Sequence, residues 1–219
     1  MSKTVIVTGA TGMVGSEVLK ACLESSETGR VISLLRRPSG REHPKLKEVI
    51  IDNFLDLSGQ EHLFKDVNIA YFCLAVYAGK VSKKEYREIT VDYPRVFAGA
   101  LKSNNPNATF CLFSAAGADS SEKSRMMFAR DKGVAENVVL KHGFPESYIF
   151  RPAYIYPVEK RKEPSLTYRI TRGMYPLLKA IYPAGVITSE HLGRAMFTIG
   201  LKGGDRSIYE NKEILAIET

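Results

Sequence analysis

The chain has 219 residues, 44% of them hydrophobic and 25% charged, with a formal net charge of +7 from 31 basic and 24 acidic side chains. That length buries a sizeable core in a single domain, 1–219, and no apolar run is long enough to cross a bilayer. The excess of positive charge suits an anionic small molecule. Nucleic acid is not expected, because no recognition module accompanies the charge. The chain runs straight into a strand with no signal-peptide pattern, so a cytoplasmic location is expected. Cys22, Cys73 and Cys111 sit in apolar contexts without metal-like pairing and read as inert buried thiols.

Residues 3–8, Lys-Thr-Val-Ile-Val-Thr, form a β-rich apolar run that stops at Gly9. Gly12 and Gly15 follow at three-residue intervals, and apolar residues then recur at helical spacing through Val18, Leu19 and Leu23. Strand, glycine turn and helix in this order make an anion site, because the helix N-terminus presents bare amides and the positive end of its dipole. Gly9 permits the turn, Gly12 lets the backbone approach a pyrophosphate, and Gly15 lets helix and strand pack closely. Thr11, Met13 and Val14 belong to the same cradle.

Residues 30–35 read as a second strand that ends in Arg36-Arg37-Pro38. An acid at this point would bond the ribose hydroxyls of NAD, whereas arginine pairs with the 2′-phosphate of NADP. Two arginines and no acid point to NADP(H). Residues 48–51 form a short third strand closed by Asp52-Asn53, which either caps the turn or faces an adenine edge. The spacing of Ser58 and Glu61 predicts a capped helix over 58–65.

Residues 68–74 are continuously apolar, as a central parallel strand should be, and Leu74 and Ala75 begin the loop at its carboxyl end. A helix over 83–103 follows, stopped by Asn104-Asn105-Pro106. Residues 109–113 form a fifth strand, 125–141 a helix, and 147–150 a sixth strand ending at Arg151-Pro152. Alternating strands and helices predict an α/β doubly wound parallel sheet, Rossmann-like, with residues 153–187 as a small C-terminal lid over the substrate side. Within that stretch 159–164 is a charged loop and 168–181 an amphipathic segment. Ser189 is expected to cap a helix to about 202, with closing strands at 207–209 and 213–217. His43, His62, His142 and His191 show no metal spacing, and none is assigned a site.

Five stretches in order carry a family resemblance: residues 8–15, 34–38, 112–119, 132–136 (Lys-Gly-Val-Ala-Glu) and 150–152 (Phe-Arg-Pro). On these the chain resembles the atypical branch of the short-chain dehydrogenase/reductase family over nearly its full length. The resemblance implies a proton-donating Tyr four residues before a Lys, with a Ser at the preceding strand end. Lys132 matches the Lys and Ser114 the Ser. The Lys holds the nicotinamide ribose and lowers the Tyr pKa by its charge. The position of the Tyr is Phe128, which has no proton to give. Tyr154, Tyr156 and Tyr77 are the alternative donors, along with water, and Pro152 and Tyr154 lie where the family's chain passes the nicotinamide.

The expected function is an NADP(H)-binding oxidoreductase acting on a small carbonyl or quinone-type substrate. A non-catalytic NADP(H)-sensing regulator is the alternative, and Phe128 is its main support.

Overall fold

A computed structural model describes residues 2–159 and 175–219. At its centre lies a seven-stranded sheet: β1 (Lys3–Thr8), β2 (Thr28–Leu35), β3 (Leu46–Ile50), β4 (Ile69–Phe72), β5 (Thr109–Phe113), β6 (Glu146–Arg151) and β9 (Ile208–Glu210). The order is β3-β2-β1-β4-β5-β6-β9, and every neighbouring pair is parallel. β7 (Tyr154–Tyr156) and β8 (Val186–Thr188) make a separate parallel pair. The doubly wound sheet expected from the sequence is therefore present, and its order reverses direction between β1 and β4. Ligands in such sheets bind at the carboxyl ends beside that reversal.

Both faces of the sheet are covered, which is why the strand sequences are nearly unbroken apolar runs. Val5, Val7 and Tyr71 point to one face, packed with Val18 and Leu19 of α1 (Gly15–Glu24) and with Leu192 and Met196 of a late helix. Ile6, Ile32, Phe72 and Phe110 point to the other, where Phe97 stacks edge-on against three phenylalanines. Cys22, Cys73 and Cys111 are free and buried, as read from the sequence, and burial pushes the Cys73 thiol up to about 12.

The helix expected over 83–103 is three pieces: α2 (Lys83–Arg87), a π-helical turn (Glu88–Asp92) and α3 (Tyr93–Asn104). Pro94 supplies the reason. It has no N–H to donate to the preceding turn, so the ladder is broken there and the turn before it widens. α4 (Met127–Lys141) follows, then α5 (Tyr175–Ile181), α6 (Ser189–Lys202) and α7 (Asn211–Leu215).

Three local expectations are corrected. Residues 58–65 hold only a 3-10 turn, Glu61–Leu63, because Gly59 takes φ +80° and Glu61 turns back to accept the Gly59 N–H rather than closing a capping box. Thr188, not Ser189, caps α6 by accepting the His191 N–H at 3.1 Å; Ser189 Oγ accepts from Val158 N–H instead. Residues 213–217 are not a strand. Asn211 anchors helix α7 there by accepting the Ala153 N–H (2.9 Å) and donating to the Ala184 carbonyl (2.6 Å). The charged loop over 159–164 falls, except for Glu159, outside the described residues, as does the first half of the amphipathic segment over 168–181; its second half is helix α5.

Candidate functional site

The glycine turn is set by close packing. Gly9 has φ +71°, and a Cβ there would lie 2.6 Å from the Cys73 backbone; one on Gly15 would lie 2.2 Å from the Gly9 carbonyl oxygen. Both positions exclude any side chain. At Gly12 a Cβ would meet only the Gly9 oxygen, at 3.1 Å, and otherwise open space. The Gly12 N–H is spent on that same oxygen (2.8 Å). The Met13 and Val14 amides are among those that bond no described residue, at the head of a helix that has no side-chain cap. A helix start left this way satisfies its amides with solvent or an anion.

A cleft of about 530 Å³ opens in front of the turn, lined by Gly9, Thr11, Leu34, Leu35, Arg36, Arg37, Pro38, Phe54 and Leu74. It brings together the cradle, the arginine pair and the β4 end that the sequence had pointed to separately. Arg36 and Arg37 are exposed and make no ion pair or hydrogen bond among the described residues. Asp52 and Asn53 are exposed and do not line it; the Asn53 Oδ1 is spent on the Leu55 N–H at 2.9 Å, the turn-capping alternative. Phe54, which the sequence reading passed over, forms part of the wall. Ala75 lies exposed, next after Leu74.

At the other end of the strand tips the chemistry is buried. Ser114 is 1% exposed, and its Oγ–H donates to the Glu136 carboxylate. Glu136 is fully buried on α4 and also accepts from Arg151 through both Nε (3.0 and 3.2 Å) and Nη2. Arg151 bonds onward to Glu210 (2.9 Å) and to Ser120 Oγ (2.6 Å), tying β6, β9 and the loop after β5 together. These bonds hold the Arg151 guanidinium even more firmly protonated than usual. The proton of Ser114 is thus committed, and only its lone pairs remain for a ligand.

Lys132 stands one helical turn after Phe128 and one before Glu136. Its ammonium lies 5.6 Å from the centre of the Phe113 ring and makes no hydrogen bond or ion pair among the described residues. Burial brings its pKa down to about 8, with Glu136 opposing the shift. Phe128 is 36% exposed at the start of α4, beside the more exposed Met126. Pro152 is buried and its carbonyl accepts the Ala116 N–H at 2.9 Å, clamping β6 to the loop after β5. Tyr154 and Tyr156 are half-buried in β7, and Tyr156 stacks on Tyr175 at 3.9 Å. Glu136 and Arg151 were visible in the quoted motifs, but their pairing was not: they are fifteen residues apart and meet only in the fold.

Comparison with known proteins matches residues 5–138 to the NAD dependent epimerase/dehydratase family. The chain belongs to that family. The resemblance to atypical short-chain dehydrogenase/reductases read from the motifs holds with it. Curated relatives include Protein FMP52, mitochondrial, of Lodderomyces elongisporus, 24% identical over 71% of this chain and 68% of that protein. The protein of the same name from Debaryomyces hansenii is 30% identical over 67% of this chain and 64% of its own.

Among solved structures, UDP-N-acetylglucosamine 4-epimerase from Bacillus cereus superposes with a TM-score of 0.67 at 17% identity, covering 95% of this chain and 77% of that one. The Bordetella bronchiseptica enzyme WbmF in complex with NAD+ gives 0.71 at 16% identity, covering 96% and 73%. At these identities the structures establish the fold of this epimerase/dehydratase family member and nothing finer. The relatives' mitochondrial names overturn the cytoplasmic location expected from the sequence. That expectation rested on a missing signal-peptide pattern, which tells nothing about other compartments.

Proposed function

We propose that this chain is an NADP(H)-dependent oxidoreductase that reduces a small carbonyl or quinone-type substrate. The observation that carries the reading is the cleft itself, whose lining joins Gly9 and Thr11 of the glycine turn to the two unpaired guanidiniums of Arg36 and Arg37, with the open amides of the helix start next along the chain. A dinucleotide fits that pattern: the pyrophosphate against Met13 and Val14 with Gly12 and Thr11 beside it, the adenosine along Leu35, Phe54 and Leu74, and the 2′-phosphate under Arg36 and Arg37. Lys132 would hold the nicotinamide ribose through its ammonium, with Pro152 and Tyr154 beside the ring. NADPH, when bound there, supplies a hydride.

Phe128 gives the substrate side an apolar wall and no proton. With the Ser114 hydroxyl donating to Glu136, neither of the family's neutral hydroxyl donors is available as such. The proton for the reduced oxygen then comes from Tyr154, Tyr156, Tyr77 or water. The same two facts favour the second reading, a non-catalytic NADP(H)-sensing regulator acting through protein contacts. Both readings require the cofactor, so the first test is its binding.

Titration of NADPH and NADH into the wild type and into Arg36→Ala/Arg37→Ala should show NADPH bound more tightly by the wild type. The double variant should lose roughly tenfold to a hundredfold in NADPH affinity, as one or two charge-assisted phosphate contacts are removed. Equal affinity of the wild type for the two cofactors would defeat the assignment. NADPH oxidation against a carbonyl and quinone panel on the same sample separates the reductase from the regulator.

A further inference from the structure

Two arginines on a surface loop are poor anchors unless the loop itself is held. Each long side chain loses rotamer freedom on binding, and a loose backbone adds its own ordering cost to every contact. In the sequence Arg36-Arg37-Pro38-Ser39, Pro38 fixes its own φ and shortens the free segment. The structure then holds the next residue. Ser39 N–H donates to Glu48 Oε2 at 3.1 Å, and Ser39 Oγ–H donates to the other carboxylate oxygen. Arg41 N–H in turn donates to Ser39 Oγ at 3.1 Å. Among the described residues, the two bonds to Glu48 are the hydrogen bonds that tie residues 36–42 to the sheet.

Glu48 is well placed for this. It lies on β3, in register with Ser33 of β2, so its backbone is fixed by the ladder that also ends at the arginines. Its two oxygens each take a Ser39 donor, and it makes no ion pair with Arg36 or Arg37. A carboxylate left free on this strand would attract nearby guanidiniums and weaken the charge they offer to a ligand. Ser39 keeps it occupied.

We propose that Glu48 is a positioning residue for cofactor choice: by holding Ser39 it keeps the Arg36-Arg37 pair presented to the cleft, and it thereby sets the preference for the 2′-phosphorylated dinucleotide. This rests on the NADP(H) reading above. Two effects of Glu48 oppose each other. Its negative charge repels a phosphate, whereas its grip on the loop orders the phosphate's partners. Removing it distinguishes them by sign.

The experiment titrates NADPH and NADH, by quenching of intrinsic tyrosine fluorescence, into the full chain as wild type, Glu48→Gln, Glu48→Ala and Ser39→Ala. Glu48→Ala should weaken NADPH about tenfold and NADH less than about twofold, because only the phosphate contact depends on the loop. Glu48→Gln keeps one acceptor oxygen and should fall between wild type and Glu48→Ala. Ser39→Ala keeps the backbone bond and should also be intermediate. The NADH affinity reports that each variant is folded, and Ser39→Ala serves if Glu48→Ala is not.

NADPH affinity unchanged or increased in Glu48→Ala overturns the inference, as does equal weakening of both cofactors. If the wild type binds both cofactors equally, or Arg36→Ala/Arg37→Ala leaves their ratio unchanged, the NADP(H) reading fails first and takes this inference with it. A wild type that prefers NADPH through its arginines while ignoring Glu48 sinks only the inference.

Discussion

The two ends of the strand tips are built in opposite ways. The cleft before the glycine turn is made of backbone and of exposed side chains close together in sequence. Its wall carries the glycine turn at Gly9 and Thr11, with open amides at Met13 and Val14 just behind, and Arg36 and Arg37 standing free of other charges. The region around Lys132 is made of side chains gathered from the end of β5, α4, β6 and β9, with Ser114, Lys132 and Glu136 buried and Glu210 exposed at the rim. There Ser114, Glu136, Arg151 and Glu210 satisfy one another before any ligand arrives. An open charged site costs little to keep and offers its full strength to a bound phosphate. The Glu136–Arg151 pair at the heart of this network cannot lose one partner without leaving the other's charge uncompensated. Substitutions at the cleft should therefore change binding and leave the fold alone, while substitutions in the network should first change stability.

The largest effect follows from breaking that network. Arg151→Met leaves the fully buried Glu136 carboxylate with Ser114 as its remaining partner. Breaking a buried pair this way costs about 3–5 kcal/mol, a fall in Tm on the order of 10 °C for a chain of this size. Thermal unfolding by circular dichroism reads it. A Tm within about 2 °C of wild type would mean that the network is replaceable and the contrast between the two ends false.

Phe128→Tyr tests the same end by adding instead of removing. The hydroxyl would sit one turn before Lys132, whose ammonium makes no hydrogen bond or ion pair among the described residues. Positioned acid/base groups give roughly a hundredfold to ten-thousandfold in rate, so carbonyl-dependent NADPH oxidation should rise or appear. Turnover unchanged or lowered by the new hydroxyl would place the native proton elsewhere, with Tyr154 and Tyr156 next. No turnover in either form with NADPH still bound would favour the regulator.

The smallest effect concerns the buried charge of Lys132. Its folded pKa, about 8, is below its ordinary value of 10.5 because burial disfavours the ammonium. The folded state therefore releases this proton before the unfolded chain does. The penalty is carried in full below pH 8 and is relieved as pH rises from about 8 to about 10.5. Lys132→Met gives up the contact with the Phe113 ring, which offsets part of this relief, so Tm at pH 7 should rise modestly, and that gain should shrink as pH approaches 10. The same variant should weaken NADPH binding. A variant less stable than wild type at pH 7 would show that the contact with the Phe113 ring outweighs the cost of burial.

Much of the cleft was legible before the fold was known. Its parts are local: a strand, a glycine turn and a helix within the first 24 residues, and an arginine pair at the end of the next strand. Gly9 and Gly15 are held by close packing, as turn and helix–strand contact require, while Gly12 faces open space beyond the Gly9 oxygen. Less of the other end was legible. The motif positions of Ser114, Lys132, Glu136 and Arg151 stood in the sequence. That the Ser114 hydroxyl is engaged by Glu136, and that Arg151 closes the pair, depends on contacts across 22 and 15 residues that no periodicity encodes.

Local readings failed where tertiary demands outweighed propensity. Residues 213–217 look like a strand by composition, yet Asn211 is needed to clasp Ala153 and Ala184, and the chain turns into a helix behind it. The capping pattern at Ser58 and Glu61 was overridden by the positive φ of Gly59. The sequence by itself determined the alternation of strands and helices, the glycine turn before the first helix and the arginine pair after the second strand, because each arises from neighbours along the chain. Only the tertiary structure decided which acid faces which base, which hydroxyl is already engaged and which charges are left open, because burial and pairing are properties of elements brought together from distant parts of the chain.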